Sequence, residues 1–286
     1  MSLELDERQR AMLQEMGVRV WSPAPLSART GELSPEPARQ VKAAAAEAAA
    51  PGKPVVSERP AAPVGKTVQQ TAAPVPTTAQ PLPADIAAMD WDALRQAVAS
   101  CQACGLCESR KNTVFGTGDT QARWLVVGEA PGENEDLQGE PFVGTAGQLL
   151  DNMLKAVGLR RDGTGEQGVY IANVLKCRPP ANRNPQPDEV AQCEPYLRRQ
   201  VELQQPQIIL ALGRFAAQSL LQTTVPDVAR IPLGKLRGQV HSYQGVPVVV
   251  SYHPAYLLRT PQDKAKAWAD LCLALDVMQR GEAASA

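Results

Sequence analysis

From residue 90 onward, short dense runs of Val, Ile and Leu alternate with longer stretches whose apolar residues recur every three or four positions. The runs Trp124–Val127, Val169–Ala172, Ile208–Leu212 and Val246–Ser251 predict strands. The stretches Trp91–Val98, Ala146–Val157, Asp188–Leu203, Phe215–Leu221 and Gln262–Met278 predict helices. Strands alternating with helices make βαβ units, so the expected fold is a three-layer α/β/α sandwich with a mainly parallel central sheet of about four strands. A weaker extended stretch, Arg237–Ser242, predicts an added edge strand.

The pattern is different before residue 89. Residues 1–22 predict a short amphipathic peptide, with Met12, Leu13, Met16 and Val18 apolar and Val20-Trp21 at its end. Residues 23–88 are dominated by Ala, Pro, Thr, Ser and Gln. Such a segment has too little apolar surface to offset the entropy of ordering, so it reads as a disordered tether to a globular domain at 89–286.

In open α/β sheets, ligands bind beyond the carboxyl ends of the strands. Here those ends lead into Gly128-Glu129-Ala130, Asn173, Gly213-Arg214 and His253-Pro254. Four strand ends therefore bring a carboxylate, an amide and an imidazole to one rim. The turn after the first strand continues as Pro131-Gly132-Glu133-Asn134-Glu135-Asp136, which supplies a second acid, Glu135. Asn173 offers a donor pair and an acceptor, which suits the edge of a pyrimidine. His253 is one of only two histidines and can donate to developing negative charge.

Six cysteines in a large chain without a signal pattern argue for metal binding or buried thiols over disulfides. Cys101 and Cys104 form a CxxC, with Cys107 at the same spacing, and Cys177 and Cys193 flank a loop rich in Pro and Asn. The quartet Cys101, Cys104, Cys177 and Cys193 can hold either a zinc ion or a four-iron cluster, and spacing alone leaves both open.

Net charge is −1, so whole-chain charge does not mark a nucleic-acid binder, and any such contact must come from a local basic patch. Arg178, Arg237 and Arg259 lie close to the motifs and could meet phosphates. Leu257-Leu258 could wedge into a base stack or serve the core. The acidic N-terminus and the lack of a long apolar run point to the cytoplasm, with no membrane segment.

The ordered set of CxxC, GEAPGENED, Pro141-Phe142-Val143-Gly144, NVLKCRPP, the second cysteine pair, Lys235-Leu236-Arg237-Gly238 and HPAYLLR resembles the family 4 uracil-DNA glycosylases across about residues 90–280. The resemblance implies a [4Fe-4S] cluster on Cys101, Cys104, Cys177 and Cys193, with Cys107 outside the set. It implies that Gly128, Ala130, Phe142 and Asn173 bind an extruded uracil, Phe142 by stacking and Asn173 at the Watson–Crick edge. It implies that His253 polarises a carbonyl and that Glu129 and Glu135 divide the handling of water. Ala130 stands where the best-known uracil glycosylases carry an Asp for that task. The wall near Glu129 and Phe142 is the expected barrier to thymine's methyl group. The activity implied is hydrolysis of the N-glycosidic bond of uracil in DNA, by a monomer. The rivals are a non-catalytic iron–sulfur DNA-binding module and a glycosylase for other deaminated bases. Separately, residues 10–23 are similar to the N-terminal peptide of the DNA polymerase III psi subunit, which implies docking on the clamp-loader chi subunit.

Overall fold

The computed structural model describes residues 81–285. The peptide at 1–22, with its chi-binding expectation, and the tether up to residue 80 lie outside the described residues. The described residues include contacts ahead of the expected boundary at 89. Leu82, Ile86 and Met89 already pack against a cluster formed by Leu94, Val98, Phe115 and Tyr196.

The elements are α1 (Trp91–Ser100), α2 (Leu106–Ser109), β1 (Thr117–Gly118), β2 (Trp124–Gly128), α3 (Glu133–Gln138), α4 (Gly144–Ala156), β3 (Val169–Asn173), α5 (Pro187–Gln204), β4 (Ile208–Leu212), α6 (Arg214–Leu221), α7 (Leu233–Leu236), β5 (Val240–Tyr243), β6 (Val246–Ser251), α8 (Pro254–Arg259) and α9 (Lys264–Ser285). Asp90 starts α1 by accepting the Ala93 N–H at 2.9 Å, an N-cap bond. Pro187 opens α5 at a position that needs no N–H donor.

One six-stranded sheet runs in the order β1-β3-β2-β4-β6-β5. The expectation of about four strands matches its parallel centre, β3, β2, β4 and β6. Two antiparallel strands complete it: β1 beside β3, and β5 beside β6. Every residue of β2, β3 and β4 is buried, as a sheet covered on both faces requires.

Alternate residues of each strand supply two separate cores. Trp124, Val126, Val169, Ile171, Ile208 and Leu210 pack with α4 and α9. Leu125, Val127, Tyr170, Ala172, Ile209 and Ala211 pack with α5 and α6. That is the three-layer arrangement. The chain leaves β2 for β3 on one side and returns to β4 on the other, so its order reverses between β2 and β4. A crevice opens at such a point, past the carboxyl ends of the strands. Among the described residues no helix is long and apolar enough to cross a membrane.

Candidate active site and cysteine cage

The crevice holds a cavity of about 460 Å³, lined among others by Glu129, Ala130, Glu135, Phe142, Asn173 and His253. The carboxylate, amide and imidazole expected at three strand ends therefore do share one space. Gly128 borders that space without lining it. A β-carbon at Gly128 would lie 2.4 Å from Asn173 Oδ1 and 2.5 Å from Phe142 Cζ, so only glycine lets both side chains close on β2.

Glu129 has no hydrogen-bond partner for its carboxylate among the described residues, and burial raises its pKa from an ordinary 4.5 to about 7. A burial-raised carboxyl of this kind can take up or hold a proton near neutral pH. Its backbone is tied to the segment that carries Cys177, because Leu175 N–H donates to the Glu129 carbonyl at 3.0 Å.

Glu135 lines the same cavity in a different bonding state. Its Oε2 accepts the Gly132 N–H at 3.0 Å and its Oε1 accepts the Val143 N–H at 2.9 Å. The acid thus reaches back from α3 to cap that helix and also braces the turn that carries Phe142. The stretch that continues the turn after β2 in the sequence is a six-residue helix started by this carboxylate. The spacing Gly132-x-x-Glu135 is the signal, since an acid three residues past a helix start caps it.

His253 begins α8. Its Nδ1 accepts the Ala255 N–H at 3.1 Å, which leaves the proton of the neutral ring on Nε2. Burial, reinforced by Arg259, lowers its pKa from 6.5 to about 4, so the ring is neutral at physiological pH. Phe142 lies alongside it with ring centroids 5.3 Å apart and planes 27° from parallel. Asn173 is buried at the end of β3, and its amide has no hydrogen bond among the described residues. The side chain lines the cavity, where a ligand can meet the amide.

The expected DNA-contact residues separate into two groups. Arg259 lines the cavity, as does Arg183, another basic residue near the motifs. Leu258 is 43% exposed on α8. Arg178 donates to Asn182 Oδ1 at 2.8 Å and lies 3.7 Å from Glu133, within reach of the surface. Leu257 and Arg237 stand elsewhere than expected. Leu257 is fully buried in the core beneath α4 and α9. Arg237 is paired with Asp270 at 2.7 Å, donates to the Lys266 carbonyl at 2.6 Å and lies over the Tyr252 ring at 4.3 Å. Its guanidinium holds the β6 end to α9, with Nε and Nη2 already donating within the fold.

Cys101, Cys104, Cys177 and Cys193 line one internal cavity between α1, α2 and α5. Cys107 does not line it. The Lys176 N–H points at Cys193 Sγ (3.2 Å) and Arg110 Nη1 at Cys177 Sγ (3.3 Å). Such donors stabilise thiolates bound to iron. The buried hydroxyl of Tyr196 has Cys101 as its neighbour and no well-aligned hydrogen-bond partner among the described residues. Four sulfurs set around a cage suit a cluster in which each thiolate binds its own iron. The donor set and the orphaned hydroxyl fit that group.

The profile of the uracil DNA glycosylase superfamily matches residues 115–272. The chain is 45% identical to the type-4 uracil-DNA glycosylase of Archaeoglobus fulgidus over 175 residues, covering 60% of this chain and 84% of that protein. It is 42% identical to the type-4 uracil-DNA glycosylase of Saccharolobus solfataricus over 174 residues, covering 59% of this chain and 78% of that protein. It is 40% identical to the type-4 uracil-DNA glycosylase of Pyrobaculum aerophilum over 191 residues, covering 65% of this chain and 93% of that protein.

Proposed function

The chain belongs to the uracil-DNA glycosylase superfamily, in its type-4 branch, and from that membership we propose that it excises uracil from DNA through the Glu129–Asn173–His253 cavity. It is a hydrolase of DNA repair that leaves an abasic site. The observation that carries the site assignment is one cavity lined by an unpartnered amide, an unpartnered carboxylate and a neutral histidine.

The bond to break joins N1 of uracil to C1′ of deoxyribose. As it breaks, the sugar gains positive charge and the base negative charge. His253 holds its proton on Nε2, and that N–H donates to the carbonyl oxygen on which the negative charge collects. Preorganised donation of this kind typically contributes about 10²–10³ in rate. Glu129, as the carboxylate, favours the sugar cation and takes a proton from the attacking water. The hydroxyl adds to C1′, and the departing uracil anion is protonated from solvent. Asn173 pairs with the Watson–Crick edge, and Phe142 stacks on the ring. Glu135 acts as a brace, because both of its oxygens are already bound to backbone amides. The wall beside Glu129 excludes a 5-methyl group, which projects in the ring plane away from the face that Phe142 covers. Extruding the base costs a few kcal/mol, and less at a mismatch. Arg259 and Arg178 hold backbone phosphates while Leu258 fills the vacated stack, and Arg183 is held by Glu189.

Cys101, Cys104, Cys177 and Cys193 would hold a [4Fe-4S] cluster. Bound there, it would tie the segment before β1 to Cys177 in the loop after β3 and to Cys193 within α5. Action on DNA supports the cytoplasmic expectation, and a single copy contains the whole site. Recruitment of residues 10–23 by the clamp-loader chi subunit is a separate proposal resting on sequence likeness. A pull-down with residues 1–25, using Trp21→Ala as the control, tests it; no chi binding by the unmodified peptide refutes it.

The test of the main reading is base release from oligonucleotides containing uracil, hypoxanthine or xanthine. Uracil release is expected, with sharp loss in Asn173→Ala and His253→Ala. Hypoxanthine or xanthine released in preference to uracil would favour the glycosylase for other bases. Binding without release of any base would favour the non-catalytic module.

A further inference from the structure

Phe142 forms the aromatic wall of the cavity, yet its backbone has φ of 53°. A bulky residue rarely adopts this left-handed conformation, and it persists only where the surroundings over-determine it. Three neighbours hold it. Glu135 Oε1 accepts the Val143 N–H at 2.9 Å on one side of the turn. Gly147 lets α4 press against the turn, since a β-carbon there would lie 1.8 Å from the Phe142 carbonyl oxygen. Arg161 holds the other side: Nη1 donates to the Pro141 carbonyl at 2.7 Å and Nη2 to the Phe142 carbonyl at 2.8 Å. Its Nε donates to Asp151 at 3.0 Å, which fixes the plane of the guanidinium.

In an extended chain, successive carbonyls point to opposite sides. One planar fork can reach two in a row only if the chain turns between them. The Arg161 fork therefore favours the turned form of Phe142 over an extended one, and the turned form sets the ring beside His253 and over Gly128. Arg161 itself does not line the cavity. We propose that Arg161, oriented by Asp151, is a positioning residue for base recognition: it locks the Pro141–Phe142 turn so that Phe142 is presented as a rigid stacking face. This rests on reading the cavity as the uracil site. Lysine cannot substitute, because one ammonium lacks the fixed fork needed for two carbonyls and a carboxylate.

The test is a double-mutant cycle on the full chain with its cluster. Arg161→Gln and Arg161→Lys are made in the wild-type and Phe142→Ala backgrounds. Single-turnover excision and inhibition by free uracil are measured in each, with visible absorbance and circular dichroism reporting an intact cluster and fold. In the wild-type background both variants are expected to lose about tenfold in kcat/KM and in affinity for free uracil. With Phe142 removed, the same substitutions are expected to change either quantity less than about twofold, because contacts that act through one side chain are not additive. Equal losses in both backgrounds, or unchanged uracil inhibition in both Arg161 variants, would overturn the proposal. If the Arg161 variants fail to fold, Asp151→Asn loosens the same fork from a half-exposed position; an effect on uracil inhibition that disappears with Phe142 supports the proposal, and an unchanged inhibition refutes it. Absence of uracil release by the wild-type chain would sink the reading beneath it, an outcome distinct from either.

Discussion

Replacing Glu129 by glutamine is expected to make the protein more stable and less active at the same time. The Glu129 carboxyl is displaced by burial from 4.5 up to about 7. Below the ordinary value the side chain is protonated in both the folded and unfolded states, so no penalty exists. Between 4.5 and 7 the unfolded chain ionises while the folded one resists, and the penalty grows. Above 7 it is fully present. The displacement alone corresponds to about 3 kcal/mol, but the cavity opens to solvent, and screening reduces this to about 1–2 kcal/mol. Glutamine has the same shape and carries no charge. At pH 8, Glu129→Gln should therefore melt about 3–6 °C above the wild type, and the gap should close at pH 4.5. Loss of a positioned base should lower kcat/KM about 10²–10⁴-fold. In the wild type, kcat/KM should rise as pH passes through about 7 and then level off; that limb should vanish in the variant. The assays are thermal melts by circular dichroism and excision rates at matched pH values. No gain in melting temperature at pH 8, or a wild-type rate flat from pH 6 to pH 8, would refute the reasoning.

Gly128→Ala places a methyl 2.4 Å from Asn173 Oδ1 and 2.5 Å from Phe142 Cζ, so excision should fall at least about tenfold while stability in urea denaturation falls by only about 1–3 kcal/mol. His253→Ala should slow single-turnover release about 10²–10³-fold, and the pH limb near 7 should survive in it, since that limb belongs to Glu129. Asp270→Ala strips the carboxylate from a guanidinium whose side chain is 11% exposed and should cost about 3–5 kcal/mol in urea denaturation; a cost under about 1 kcal/mol would contradict the bracing role of the pair.

Much of this was legible because burial writes itself into composition. β4 is an unbroken apolar run and β6 is one up to its final Ser251, and their bounds in the fold, Ile208–Leu212 and Val246–Ser251, are those read from the sequence. β1 was not legible: it has two residues and exists only through its pairing with β3. The carboxylate, amide and imidazole of the site could be anticipated because each follows a strand end. Neighbouring leucines could not be sorted without the path of α8, which turns Leu257 into the core and leaves Leu258 outside. Arg237 sits in a motif and beside other basic residues, but its partner Asp270 lies 33 residues further on. The role of Arg161 is the least legible, since it acts through a backbone angle at Phe142, which no local pattern encodes.

The central claim is that the cavity bounded by Glu129, Asn173 and His253 is the place where one extruded uracil is held. A crystal structure of the chain with free uracil tests it most directly. The account predicts the ring stacked on Phe142, its edge paired with the Asn173 amide and a carbonyl oxygen within hydrogen-bond distance of His253 Nε2. Uracil bound elsewhere, or bound in this cavity with Asn173 and His253 both untouched, would contradict it.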